Sequence, residues 1–168
     1  MSNFEKNLEQ ALNNAKRLTD KILIDGKLIS AQTNNKIPVL NPSTGENIGS
    51  VPKCDKNDVN IAVESAYKAF QKWKKIPARE RGKMVAAGAK RLEERKSEIE
   101  TLLSLDTGNA LRTQAIPETG SSIELTNMFA GLSGELKGEN YPTNIPHSIH
   151  YTTRDPIGVV CAIVPWNA

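Results

Sequence analysis

Cysteine is scarce: among 168 residues there are two, Cys54 and Cys161. That number cannot build a disulfide framework, and their separation fits no metal-ligand spacing, so a cross-linked secreted scaffold and a zinc module are both excluded. Cys54 sits beside Lys53 and Lys56, basic neighbours of the kind reactive thiols have, although a surface or half-buried bystander is the plainer reading. Cys161 lies within the apolar run Gly158 to Val164, where a free cysteine is expected to pack as a small core hydrophobe. Charge of one sign is also lacking. The 22 Lys+Arg exceed the 19 Asp+Glu by only three, and in stretches such as Lys90 to Glu100 bases and acids interleave, which describes a solvated helical face and not a nucleic-acid footprint. No apolar run approaches the ~20 residues that span a bilayer. The N-terminus carries Glu5, Lys6 and Glu9 where a signal peptide needs an apolar stretch, so a cytoplasmic location without membrane partners is expected. Aromatic residues are few, at 5%, but 38% hydrophobic and 24% charged residues fit an ordinary globular chain with a real core.

What is present is a change of period along the chain. Phe4, Leu8, Leu12, Ala15 and Leu18 recur at helical spacing, so residues 1–21 read as an amphipathic helix on the body of the protein or as a mobile arm. Ile22 to Ser30 holds two short apolar segments around Asp25-Gly26, a dipeptide suited to the positive φ angles of a tight hairpin. Asn41-Pro42-Ser43-Thr44-Gly45 marks a second turn, and together these segments predict a small antiparallel meander. From Asp58 the spacing turns helical, with Val59, Ala62, Val63, Ala66, Phe70 and Trp73 on one face and Asp55 or Asn57 as the cap. Pro77 ends the connection to a helix over Arg79 to Arg95, with Met84, Val85 and Leu92 inward. A shorter helix over Ser97 to Asp106 stops where Gly108 takes a left-handed conformation. Pro117 suits the first turn of a long helix whose stripe is Ile123, Met128, Phe129 and Leu132. After Gly138 the chain becomes extended and rich in turns, a plausible hairpin. Ile157 to Val164 has the composition of a strand buried on both faces of a parallel sheet. It runs into Pro165-Trp166-Asn167-Ala168, at the strand end where ligands bind in open α/β sheets.

Several ordered segments carry a resemblance: Asn41-Pro42-Ser43-Thr44-Gly45-Glu46, the helix from Asp58 to Trp73, Leu105-Asp106-Thr107-Gly108, and Arg154-Asp155-Pro156-Ile157-Gly158-Val159-Val160 leading to Pro165-Trp166-Asn167. From about Ile22 to Ala168 the chain resembles the N-terminal part of the NAD(P)-dependent aldehyde dehydrogenase superfamily. The resemblance implies an α/β fold, a partial Rossmann-like cofactor domain of the aldehyde dehydrogenase type with an oligomerisation β-hairpin. Residues 22–137 and 157–168 would belong to the cofactor domain and 138–156 would form the hairpin. It also implies NAD or NADP as cofactor, a small-molecule aldehyde as substrate and a homo-oligomer in the complete enzyme.

In that family an aldehyde is captured by a cysteine thiolate, hydride passes to the nicotinamide, and the thioester is hydrolysed with a glutamate as base. By the resemblance, Asn167 takes the catalytic role of oxyanion donor, since a side-chain amide offers two N–H groups without charge. On chemistry alone, an asparagine that merely turns the chain after Pro165 is the blander alternative. Ile163, Val164, Pro165, Trp166 and Asn167 match the family's cofactor-binding stretch, although core packing accounts for Ile163 and Val164 equally well. The family's pyrophosphate turn, ribose-binding acid, base and cysteine would all lie beyond Asn167. The 168 residues are therefore expected to be an N-terminal piece that is inactive alone, or, alternatively, a non-catalytic module that pairs with full-length subunits. No metal site is expected: His147 and His150 are three apart but flanked by Pro146 and a Thr-rich ribbon. Arg79 and Arg81 read as solvated or ion-paired charges, and Gly108, Gly131, Gly134 and Gly138 form no phosphate-cradling loop.

Overall fold

A computed structural model of the chain describes residues 3–165. Helix α1 (Asn3–Leu18) opens with Glu5 and closes with Lys16 and Arg17, charges that complement the two ends of the helix dipole. Of the two readings for this segment, the docked helix is the one observed. Ala11 is fully buried, and the Asn14 side-chain amide donates to Glu98 at 2.5 Å, fastening α1 to a helix far along the chain.

Strands β1 (Lys21–Ile24) and β2 (Lys27–Ser30) pair antiparallel. The turn between them puts Asp25 at φ 52° and Gly26 at φ 70°, the paired positive angles that match the twist of a two-residue hairpin. Strands β3 (Lys36–Leu40) and β4 (Asn47–Pro52) pair in the same sense. Their loop is closed by Asn41, which accepts from Ser43 N through its side chain and from Gly45 N through its carbonyl; Gly45 sits at φ 73°. The expected single meander is instead two separate two-stranded sheets. The second leans on the first through Asp20, whose N–H donates to the Ser50 carbonyl at 2.9 Å. The Asp20 carboxylate accepts from Lys36 and, at 2.6 Å, from the Ser50 hydroxyl. The Lys36 hydrogen bond, reinforced by that of Ser50, holds this carboxyl below the usual aspartate range.

Helix α2 (Lys56–Trp73) starts with a capping box. Asp55 accepts from Asn57 N and Asp58 N, while Asp58 accepts from Asp55 N, so Asp55 is the cap and Asn57 is not. Asp58, 3% exposed, also accepts from Gln32 N at 2.8 Å and so ties the helix to the loop after β2. Helices α3 (Ala78–Glu94), α4 (Lys96–Thr107) and α5 (Ile116–Gly131) follow. Gly108 stops α4 at φ 75°, and Pro117 stands in the first turn of α5. A π-turn over Leu111–Ala115 precedes α5 and was not legible from spacing. Helices α3 and α5 come close because Gly82 faces the last turn of α5: a Cβ there would lie 2.5 Å from the Ala130 carbonyl and overlap the Ser133 hydroxyl.

The core is built from small residues, Ala11, Ala89, Ala115 and Ala130, with Ile123. Met84 and Leu92, expected inward on α3, are exposed, and so are Met128, Phe129 and Leu132 of the expected α5 stripe. The helices cross on alanine and glycine, which leaves those larger side chains on the outer flank. The face of α2 carrying Val59, Val63 and Trp73 is exposed as well.

Strands β5 (Asn140–Tyr141) and β6 (His150–Tyr151) form the hairpin expected within 138–156. At its base Thr152 N donates to the Glu139 carbonyl at 2.8 Å, and Glu139 N donates to the Thr152 hydroxyl at 2.9 Å. A Cβ on Gly138 would overlap the Thr152 carbonyl oxygen. Tyr141, Ile145, Ile149 and Tyr151 are exposed along this ribbon.

The expected strand over Ile157 to Val164 is not formed; residues 152–165 have no regular structure. Cys161 is exposed and not a core residue. A strand of this composition requires a ladder on each edge and a layer on each face, and among the described residues no strand lies alongside it. The apolar composition was read correctly, but the burial it demands is not supplied by these elements.

Candidate functional site

The C-terminal segment crosses helix α2 at one point. Gly158 adopts φ 134°, a conformation closed to ordinary L-residues, and its Cα faces the Phe70 ring, so that an added Cβ would sit 3.5 Å from the ring edge. The Lys74 ammonium stands over the same ring, 5.1 Å from its centroid, a cation–π distance. Around this contact a groove of about 540 Å³ runs between Ala66, Phe70, Trp73 and Ile76 of the α2 side and Val159 and Val160 of the segment. Gly158 and Phe70 meet where the segment crosses the helix. The sequence marked both, one within the Asp155-Pro156-Ile157-Gly158 motif and one on the α2 stripe, without indicating that they touch.

Beyond the groove the segment leaves the protein surface. There Ile163 and Val164 are 94% and 78% exposed, and Pro165 is exposed too. Of the expected cofactor-binding residues, Ile163, Val164 and Pro165 are therefore brought together only by being consecutive. Trp166 and Asn167 lie outside the described residues. Among the described residues there is no parallel strand pair and no glycine turn leading from such a strand into a helix, the arrangement a dinucleotide pyrophosphate requires. The described residues thus do not by themselves compose a dinucleotide site.

A second concavity, about 370 Å³, lies between α1, the β3–β4 sheet and α4, lined by Leu18, Val39, Ile48, Val51, Leu102 and Leu103. Its walls are apolar, with only Thr19, Ser50 and Asp106 as polar members. That is the character of packing space between layers, and it holds no convergent set of donors. The two cysteines are both exposed, and neither has a base within hydrogen-bonding distance among the described residues. No nucleophile–base pair of the kind needed for covalent catalysis is present there.

Comparison with known proteins places this architecture. The model of the aldehyde dehydrogenase family matches residues 28–168. A mitochondrial benzaldehyde dehydrogenase of Antirrhinum majus is 35% identical over 150 residues, covering 88% of this chain and 28% of the relative. The cytosolic aldehyde dehydrogenase 1 of Mus musculus is 34% identical over 159 residues, covering 93% of this chain and 32% of its own length. Among solved structures, betaine aldehyde dehydrogenase from Staphylococcus aureus, in complex with NAD+, superposes with a TM-score of 0.77 at 28% identity, over 85% of this chain and 29% of that one. The chain thus spans about a third of the length of the relatives it matches. The family model covers most of the chain, and on that footing the chain belongs to the aldehyde dehydrogenase family.

Proposed function

We propose that the chain serves the oxidation of an aldehyde to a carboxylic acid with NAD or NADP, contributing the N-terminal part of the cofactor-binding region of an aldehyde dehydrogenase subunit. The observation that carries this reading is the family match, which runs unbroken over residues 28–168. In this reading residues 163–167 line the cofactor crevice once neighbouring strands flank them. Asn167 donates its side-chain amide to the oxygen that becomes negative when the aldehyde carbon turns tetrahedral. Residues 138–156 pair between subunits of a homo-oligomer, and the setting is the cytoplasm, where both cysteines remain thiols.

The same reading states what these 168 residues do not do alone. Cys54 and Cys161 are exposed, and among the described residues neither thiol hydrogen-bonds to a base, so the isolated chain is expected to give no turnover with NAD(P) and aldehydes. The test is a fusion of this chain to the remaining two thirds of a related dehydrogenase. The fusion is expected to oxidise aldehydes, and Asn167→Ala within it to lower kcat by ~10²–10³, the usual loss for one oxyanion donor. A folded fusion in which Asn167→Ala leaves kcat unchanged would remove Asn167 from the reaction.

The exposed ribbon favours a second reading, in which the chain pairs its hairpin with intact subunits and takes no part in catalysis. Mixed oligomers in a pull-down with an intact relative would support it, and their absence would count against it.

A further inference from the structure

We infer that helix α1 is a hinged strap: it lifts from the body as one unit about the Thr19–Asp20 joint and opens the apolar cavity beneath its last turn, while β1 and β4 stay in place. The inference goes beyond aldehyde oxidation and is independent of it. Its first ground is the packing under the helix. Midway along α1, Ala11 is fully buried and the Asn14 amide donates to Glu98 of α4. Further on, Ala15, Leu18 and Thr19 border the cavity of about 370 Å³ together with Ile48, Leu102 and Leu103. The last turn thus spans a void, and side chains beside a void forfeit the dispersion contacts that hold a helix down. The outer face of α1 carries Glu9, Gln10, Asn13, Lys16 and Arg17, all exposed. Such a solvated surface needs no further layer over it.

The second ground is the joint itself. On its helix side, the Thr19 hydroxyl donates to the Ala15 carbonyl at 3.0 Å and Thr19 N donates to the Lys16 carbonyl at 3.3 Å, so the last turn is closed on itself and moves with α1. On its sheet side, Asp20 is pinned to β4. Its N–H donates to the Ser50 carbonyl at 2.9 Å, and its carboxylate accepts from the Ser50 hydroxyl at 2.6 Å and from Lys36 of β3. Strand β1 begins at the next residue, so the displacement of a lifting helix stops at Asp20. Opposite the joint stands Gly49, where a Cβ would lie 2.9 Å from the Thr19 hydroxyl; with no side chain there, nothing wedges the joint. An element that rests over a void and is separated from the body by a pin opens locally before the whole molecule unfolds.

The experiment is amide hydrogen exchange on the full chain in native buffer, read by mass spectrometry. The hydrogen-bonded amides of α1 are expected to exchange as one block, at least ~10-fold faster than those of α3 and α5 and at least ~10-fold slower than an unstructured peptide. Two variants shift that block in opposite directions. Asn14→Ala removes the tie to Glu98 and is expected to speed α1 by about 10-fold. Ala15→Leu places three more carbons into the cavity and is expected to slow it by a similar factor. In both, β1, β4, α3 and α5 are expected to exchange as before. Exchange of α1 at the rate of α3 and α5, or at that of an unstructured peptide, would overturn the inference. So would either variant leaving α1 unmoved, or shifting the other four elements as much as α1.

Discussion

At the scale of single residues, Gly82 is a tightly constrained position within the helical layer. Its Cα lies against the Ala130 carbonyl, and a methyl group there has nowhere to go without moving the backbone of α5. Gly82→Ala is expected to destabilise the chain by about 1–3 kcal/mol, the usual cost of overpacking, read as a lower thermal midpoint by circular dichroism. Gly88→Ala, in open space on the same helix, is expected to leave the midpoint level or raise it. Asp20 carries the acid response. Its folded pKa is held low by Lys36 and Ser50, so its contribution is present above the ordinary aspartate range and lost as pH falls through the lowered value. Asp20→Asn is therefore expected to flatten the decline in stability on acidification, measured by urea midpoints at descending pH. Tyr141 shifts the other way. Its hydroxyl donates to Glu139, and that hydrogen bond raises the phenol above its ordinary range; Glu139→Gln is expected to bring the Tyr141 phenolate absorbance to lower pH.

At the scale of elements, the cap of α2 couples two parts of the chain. Asp58 accepts from Gln32 N and Asp55 N while almost wholly buried. Asp58→Ala strands both donors and is expected to cost about 1–3 kcal/mol. Asp55→Ala removes the cap itself, at about 0.5–2 kcal/mol. The two share one network, so the double variant is expected to cost less than the sum. The elements themselves were largely legible in the sequence. Asp25-Gly26 named its turn, Gly108 and Pro117 marked helix ends, and the period of three and four residues placed α1 to α5. Which faces turn inward was less legible. Met84, Met128 and Phe129 lie on apolar stripes yet are exposed, because periodicity defines a face but not what covers it. The run from Ile157 to Val164 is the same lesson carried further: its composition is that of a buried strand, but a strand is a relation between segments, and the described residues contain no second member.

At the scale of the whole molecule, the family membership was legible from ordered motifs, while the site was not assembled by them. Ile163, Val164 and Pro165 project into solvent, and the concavities lack the phosphate-binding turn that would make them a cofactor crevice. The chain matches about a third of its relatives' length, and the oxyanion role remains the proposal made above for Asn167. The most direct measurement is the rate of NAD(P)H formation with an aldehyde, taken side by side for the isolated chain and for its fusion to the remaining two thirds of a related dehydrogenase. The account predicts no formation by the isolated chain and steady formation by the fusion. Turnover by the isolated chain, or a folded fusion that forms none, would contradict it.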